Sequence, residues 1–178
     1  MVLGALLVAP AAEAQTIRVN GGSTTLKPDS GAVRAIFGLG IDVSAVAPGR
    51  AGAAGFTLPI VRGSITRRRA VVTHRGGIAL TRGDQAVSLT DLVVTLDRTP
   101  DVTAVVNGGA RISILDLGGR APRVTPTRTS VRVSNVTVRL TPAAAGALNS
   151  AFATSVFKPR QVLGQTTTRA RVAAPRRR

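Results

Sequence analysis

Apolar residues alternate with polar ones over short spans of this chain, and Gly, Asn and Pro break the spans apart. That period of two predicts half-buried β-strands. The clearest signal is a strand that occurs twice. Residues 87–96 read VSLTDLVVTL and residues 131–140 read VRVSNVTVRL, and both fit V-x-[LV]-[ST]-[DN]-[LV]-x-V-x-L. In each copy the alternation switches parity midway. Val87 and Leu89 share one face, then Leu92, Val94 and Leu96 take over; Val131 and Val133 give way in the same manner to Val136, Val138 and Leu140. A one-residue slip inside a strand turns its second half inside out. A β-bulge at Thr90-Asp91 and at Ser134-Asn135 restores the facing. Residues 112–117 (ISILDL) are a weaker third copy.

A second echo pairs Leu26-Lys27-Pro28 and the residues up to Phe37 with Leu140-Thr141-Pro142 and the residues up to Phe152. Each is a strand end, a proline and a short helical pattern. The later one is the better helix, because Thr141 can cap it, Pro142 suits its first turn, and Leu148 and Phe152 lie one turn apart. The earlier one holds two turns at most. Further strands are expected at 16–20, 56–62, 64–74, 78–82, 102–107 and 162–172, with turns at Arg75-Gly76-Gly77, Arg82-Gly83-Asp84, Asn107-Gly108-Gly109 and Gly118-Gly119. Segments 44–55 and 118–130 read as loops. The expected fold is mainly β, an antiparallel β-sandwich or open barrel with one or two short helices.

Composition narrows the functional classes. The 178 residues suffice for one domain with a sizeable core, and 44% of them are hydrophobic. There is no Cys, which excludes disulfides, thiolate nucleophiles and thiolate metal sites. Residues 2–9 form an apolar run too short to span a bilayer. Ala12-Glu13-Ala14 then supplies an A-x-A cleavage pattern. The expected organisation is a signal peptide over 1–14, one β-rich domain over 15–172 and a disordered basic tail over 173–178, in a secreted or cell-surface protein.

The net charge is +16, from 22 Arg and 2 Lys against 8 carboxylates. Such a field attracts polyanions, and acidic cell-wall polymer is one candidate partner. Nucleic acid is disfavoured, since single-strand binders stack bases on aromatic rings and the chain has 4 Phe, no Tyr and no Trp. Catalysis finds little equipment. His74 is the only histidine, no Gly-x-Ser-x-Gly elbow accompanies it, and the glycine-rich units lack the helix and Lys of a phosphate loop. Asn135-Val136-Thr137 matches a glycosylation pattern but falls inside an expected strand. Alternation along 64–74 puts Arg68 on the face of Ala70, Val72 and His74, with Arg75 next to the imidazole at a hairpin mouth. His74, Arg68 and Arg75 are therefore the candidate ligand-binding residues, the arginines to pair carboxylates and the imidazole to meet the ligand.

Residues from about Gly55 to Gly164 resemble the HtaA domain, the heme-transport-associated domain of secreted and surface proteins of actinobacteria. The resemblance is carried by Phe56-Thr57-Leu58-Pro59, Gly63 and Thr73-His74-Arg75-Gly76-Gly77-Ile78. Val87-x-Leu89-Thr90-Asp91, Thr103-Ala104-Val105-Val106 and Val136-x-Val138-x-Leu140-Thr141 extend it, and Gly164 ends it. It implies an extracellular β-rich fold, with heme as the one candidate cofactor and His74 as a metal ligand only if heme is bound. In the family an axial Tyr supported by a His holds the iron. His74 stands where that His would sit, and the Tyr is missing from this chain. The reading that follows is a non-enzymatic β-domain with a structural, adhesive or surface-binding role. Binding of heme or another apolar anion at His74 is the alternative, and binding of acidic polymer is the second.

Overall fold

The computed structural model describes residues 16–119 and 123–173. The expected signal peptide and residues 174–178 of the expected tail lie outside the described residues. In chain order the elements are β1 (Ile17–Pro28), α1 (Ser30–Gly38), β2 (Asp42–Val46), β3 (Arg50–Gly52), β4 (Gly55–Ile65), β5 (Ala70–His74) and β6 (Gly77–Arg82). They continue with β7 (Gln85–Leu96), β8 (Asp101–Val106), β9 (Arg111–Gly118), β10 (Arg123–Pro126), β11 (Ser130–Leu140), α2 (Pro142–Ala151) and β12 (Val162–Val172).

The mainly β, antiparallel expectation with short helices holds, and the barrel is closed. Eight strands form the ring β7-β5-β4-β1-β12-β11-β9-β8, and β8 returns to β7 through pairs such as Leu89↔Val106 and Val94↔Val102. β6 and β2 extend the sheet beyond β7, while β3 pairs β4 and β10 pairs β11. The two expected bulges are present. The β7–β8 register shifts between Thr90 and Val93, and the β11–β12 register shifts between Val133 and Val136. Asp91 (φ 50°) and Asn135 (φ 63°) carry the left-handed backbone at these points. Val87 and Leu92 thereby both reach the core, as do Val136, Val138 and Leu140. Asn and Asp tolerate this backbone, and β-branched residues do not. Asn135→Val is expected to cost about 1–2 kcal/mol in urea unfolding, and Asn135→Gly less than about 0.5.

The helices follow their sequence signals. The Thr141 side chain accepts from the Ala144 N–H at 3.1 Å, and Pro142 occupies the first turn of α2. Asp29 caps α1 through the Gly31 and Ala32 N–H groups, and α1 has 9 residues, slightly more than two turns.

Three local readings need correction. Segment 44–55 is not a loop throughout, because it contains most of β2 and all of β3, joined by a turn with a cis Ala47–Pro48 bond. Segment 118–130 contains β10. Residues 64–74 are not one strand. The Thr66 hydroxyl donates to the Arg69 carbonyl and accepts from the Arg69 N–H, closing a turn between β4 and β5. Conversely, Arg75-Gly76-Gly77 is no hairpin. β5 and β6 run in one direction along the same side of β7, pairing Ala70–Thr73 with Leu96–Val93 and Gly77–Arg82 with Thr90–Gln85. The glycines let a kinked strand approach closely. A side chain at Gly77 would strike the Leu89 carbonyl oxygen, and one at Gly76 would strike the Val46 carbonyl.

The core has two parts. Val19, Ile60, Val72 and Ala170 plug one end of the barrel. The larger cluster fills the rest and includes Phe152 and Phe157, whose rings lie 6.5 Å apart under α2.

Candidate functional site

Inward-facing residues of an eight-stranded barrel can just fill its interior, or leave room for one small ligand. Here the inward positions are Val, Leu, Ile and Ala, with few rings to occupy space. They leave a cavity of about 1050 Å³. Its walls include Leu80, Val87, Leu92, Ile114, Val138 and Leu140. The exposed members of the lining mark the mouth. These are Phe37 and Arg34 on α1, Lys27 at the end of β1, Ala53 and Ala54 in the β3–β4 turn, and Ala147 on α2. Phe37 is 58% exposed, although aromatic rings are scarce in this chain. Lys27 and Arg34 are the only charged residues in the lining.

The polar point of the cavity lies deep. Along β5, Val72 joins the small plug and His74 faces the cavity; along β1, Val19 joins the plug and Thr24 faces the cavity. His74 is 2% exposed. Its Nδ1 lies 3.2 Å from the Leu92 carbonyl oxygen, which can only accept, so Nδ1 carries the proton. Nε2 then accepts from the Thr24 hydroxyl at 2.7 Å, and Thr24 in turn accepts from the Thr168 hydroxyl at 2.9 Å. Burial lowers the His74 pKa to about 4, and the bond to Leu92 offsets part of that shift. The ring is neutral at pH 7 and both its nitrogens are engaged. A hydroxyl on a histidine nitrogen is also the contact of a nucleophile with its base, but an imidazole with a pKa of about 4 is a weak base at neutral pH.

The three candidate residues do not converge. Arg68 lies in the β4–β5 turn, at the far end of β5 from His74. Arg75 is exposed and outside the cavity lining, although its backbone N–H donates to the Pro59 carbonyl at 3.1 Å. His74 is not at an open hairpin mouth but in the barrel wall. The cations that do reach the cavity, Lys27 and Arg34, carried no motif that would single them out. Thr24 sits in an unremarkable polar run, Ser23-Thr24-Thr25. Arg82 was read only as part of a turn, yet it ties α2 to β6 by donating to the Phe152 carbonyl at 2.8 Å.

Heme iron needs an axial ligand such as His, Cys, Met or Tyr. The chain has no Tyr and no Cys, and its one His is committed to Leu92 and Thr24. Thr24 offers His74 a hydroxyl, but an aliphatic one that does not ionise as a phenol does. The described residues therefore do not fit a coordinated heme. Among them, no group of three His, Cys, Asp or Glu could hold a metal ion, and no helix is long and apolar enough to cross a membrane.

No protein-family model matches the chain, and no curated protein matches it. Solved structures do. The C-terminal domain of HtaA from Corynebacterium glutamicum superposes with a TM-score of 0.68 at 14% identity, covering 88% of this chain and 99% of that one. The domain-swapped dimer of a His-to-Ala variant of the same domain gives a TM-score of 0.55 at 13% identity, covering 97% of this chain and 100% of that one. In fold, this chain is an HtaA-like domain.

Proposed function

We propose that this domain acts outside the cell by binding one ligand with an apolar body and an anionic end inside the barrel. The observation that carries the reading is the cavity of about 1050 Å³, aliphatic within and bordered at its mouth by Lys27 and Arg34. Apolar pockets with a few convergent polar groups are where ligands gain affinity and orientation. The Thr24 hydroxyl gives the buried end of the ligand one polar neighbour, and the mouth cations pair its acid group. The fold likeness and the apolar run before Ala14 support placement outside the cell. A purely structural or adhesive role leaves the cavity unexplained. Heme, if it enters, does so as an apolar dianion without an iron bond to His74.

The test is a titration with a fluorescent polyene fatty acid. Saturable one-to-one binding is expected. Ala147→Trp should obstruct the mouth and abolish it. Lys27→Glu with Arg34→Glu should weaken the acid about tenfold while leaving the matching alcohol unaffected, as two solvent-screened charge contacts would. Absence of saturable binding overturns the reading. Added hemin should show no coordinated Soret band; a shifted band that disappears in His74→Ala would overturn the account of the His74 nitrogens.

A further inference from the structure

The charges of this barrel are segregated by strand. All seven Asp lie on or beside other elements: the α1 cap, β2, the β6–β7 turn, the β7 bulge, the β7–β8 turn, β8 and β9. None falls on the contiguous strands β10, β11, β12, β1 and β4. The outer face of those strands is instead basic. Ala170 and Thr168 of β12 point inward, so Arg169 and Arg171 point outward, and both are exposed. Arg132 of β11 stands directly opposite Arg169, and Ser130 directly opposite Arg171. On β10, Arg123 faces Ser134 on the same side. On β1 and β4, Arg18 and Arg62 flank inward-facing Val19 and Gly63. Arg171 lies flat across Gly21, where an added Cβ would come within 2.8 Å of its guanidinium.

Facing like charges destabilise a sheet. The only ion pair among the described residues, Arg69 with Asp97, lies elsewhere. A face that accumulates Arg with no carboxylate on its own strands is complementary to an anionic partner. Guanidinium forks suit phosphate and carboxylate oxygens alike. Neighbouring outward positions along a strand stand about 6.6–6.8 Å apart. The Ser and Thr residues between the arginines add hydroxyl donors. No aromatic ring lies on this face to stack a base, since Phe37, Phe56 and Phe157 line the cavity and Phe152 is in the core. We propose that the outer face of β10–β11–β12–β1–β4 docks a flexible, base-free phosphodiester polymer.

The test measures binding of the whole chain to poly(glycerol phosphate) over a salt series. Arg132→Ser with Arg169→Ser should weaken binding about tenfold and flatten its salt dependence. Because that pair repels itself, the variant should fold at least as stably as the parent, which thermal unfolding checks. Arg98→Ser with Arg160→Ser removes equal charge away from the face and should leave affinity within about twofold. Equal losses in the two variants would reduce the effect to net charge and overturn the proposal. So would an absence of binding, or tighter binding to single-stranded DNA, to polyglutamate or to phosphatidylglycerol vesicles.

Discussion

Acid should unfold the parent domain more readily than a His74→Asn variant, with the difference reaching about 3 kcal/mol by pH 4. The sign follows from the direction of the shift. His74 is neutral in the fold because burial lowers its pKa from 6.5 to about 4. In the unfolded chain it takes up a proton near its ordinary value, so the unfolded state binds more protons between those limits. Stability is complete above about pH 6.5, falls as pH drops toward 4, and levels off below. Asn keeps a donor for the Leu92 carbonyl but cannot titrate. Urea unfolding at intervals from pH 8 to pH 3.5 isolates the His74 contribution as the difference between the two slopes. Parallel curves for parent and variant would mean that the ring is protonated in the fold, and the Leu92–His74–Thr24–Thr168 chain would have to be redrawn.

Phe152→Ala should be the most damaging single truncation, at about 3–5 kcal/mol. Phe152 is fully buried, its ring leans on Phe157, and its carbonyl receives Arg82 from β6. The substitution removes a large apolar body and leaves a void that the short α2 cannot close by itself. For a chain of this size the midpoint of thermal unfolding should fall by roughly 10 °C. A drop of only two or three degrees would show that this end of the barrel relaxes freely.

What could be read in the sequence was whatever leaves a local periodic trace. The parity switches at Thr90-Asp91 and Ser134-Asn135 marked the bulges because the core must face inward on both sides of them. Thr141 and Pro142 marked α2 because capping is a contact between near neighbours. The Thr66–Arg69 turn was hidden because a threonine side chain closes it, without Gly or Pro. Gly76-Gly77 misled for the opposite reason, since the glycines serve close approach to β2 and β7 and not chain reversal. The short β3 has no alternation to show. The candidate site was less legible still. His74 was visible as a singular residue, but its partners Thr24 and Leu92 come from strands 50 and 18 residues away. A cavity is the difference between wall volume and enclosed space, and alanines and valines that line one look the same in sequence as those that fill a core.

Closure of the ring by β7 and β8 has a consequence for solubility. A strand-rich chain with 44% hydrophobic residues and few carboxylates is the kind that polymerises through exposed strand edges. The eight long ladders of the barrel pair with one another, so the free edges fall mainly to β2, β3 and β10, of 5, 3 and 4 residues. β10 ends in a proline and begins with an arginine, both of which discourage a further strand from adding there. Templated assembly of this protein would therefore have to begin by parting β8 from β7, which makes the integrity of that seam the safeguard against aggregation.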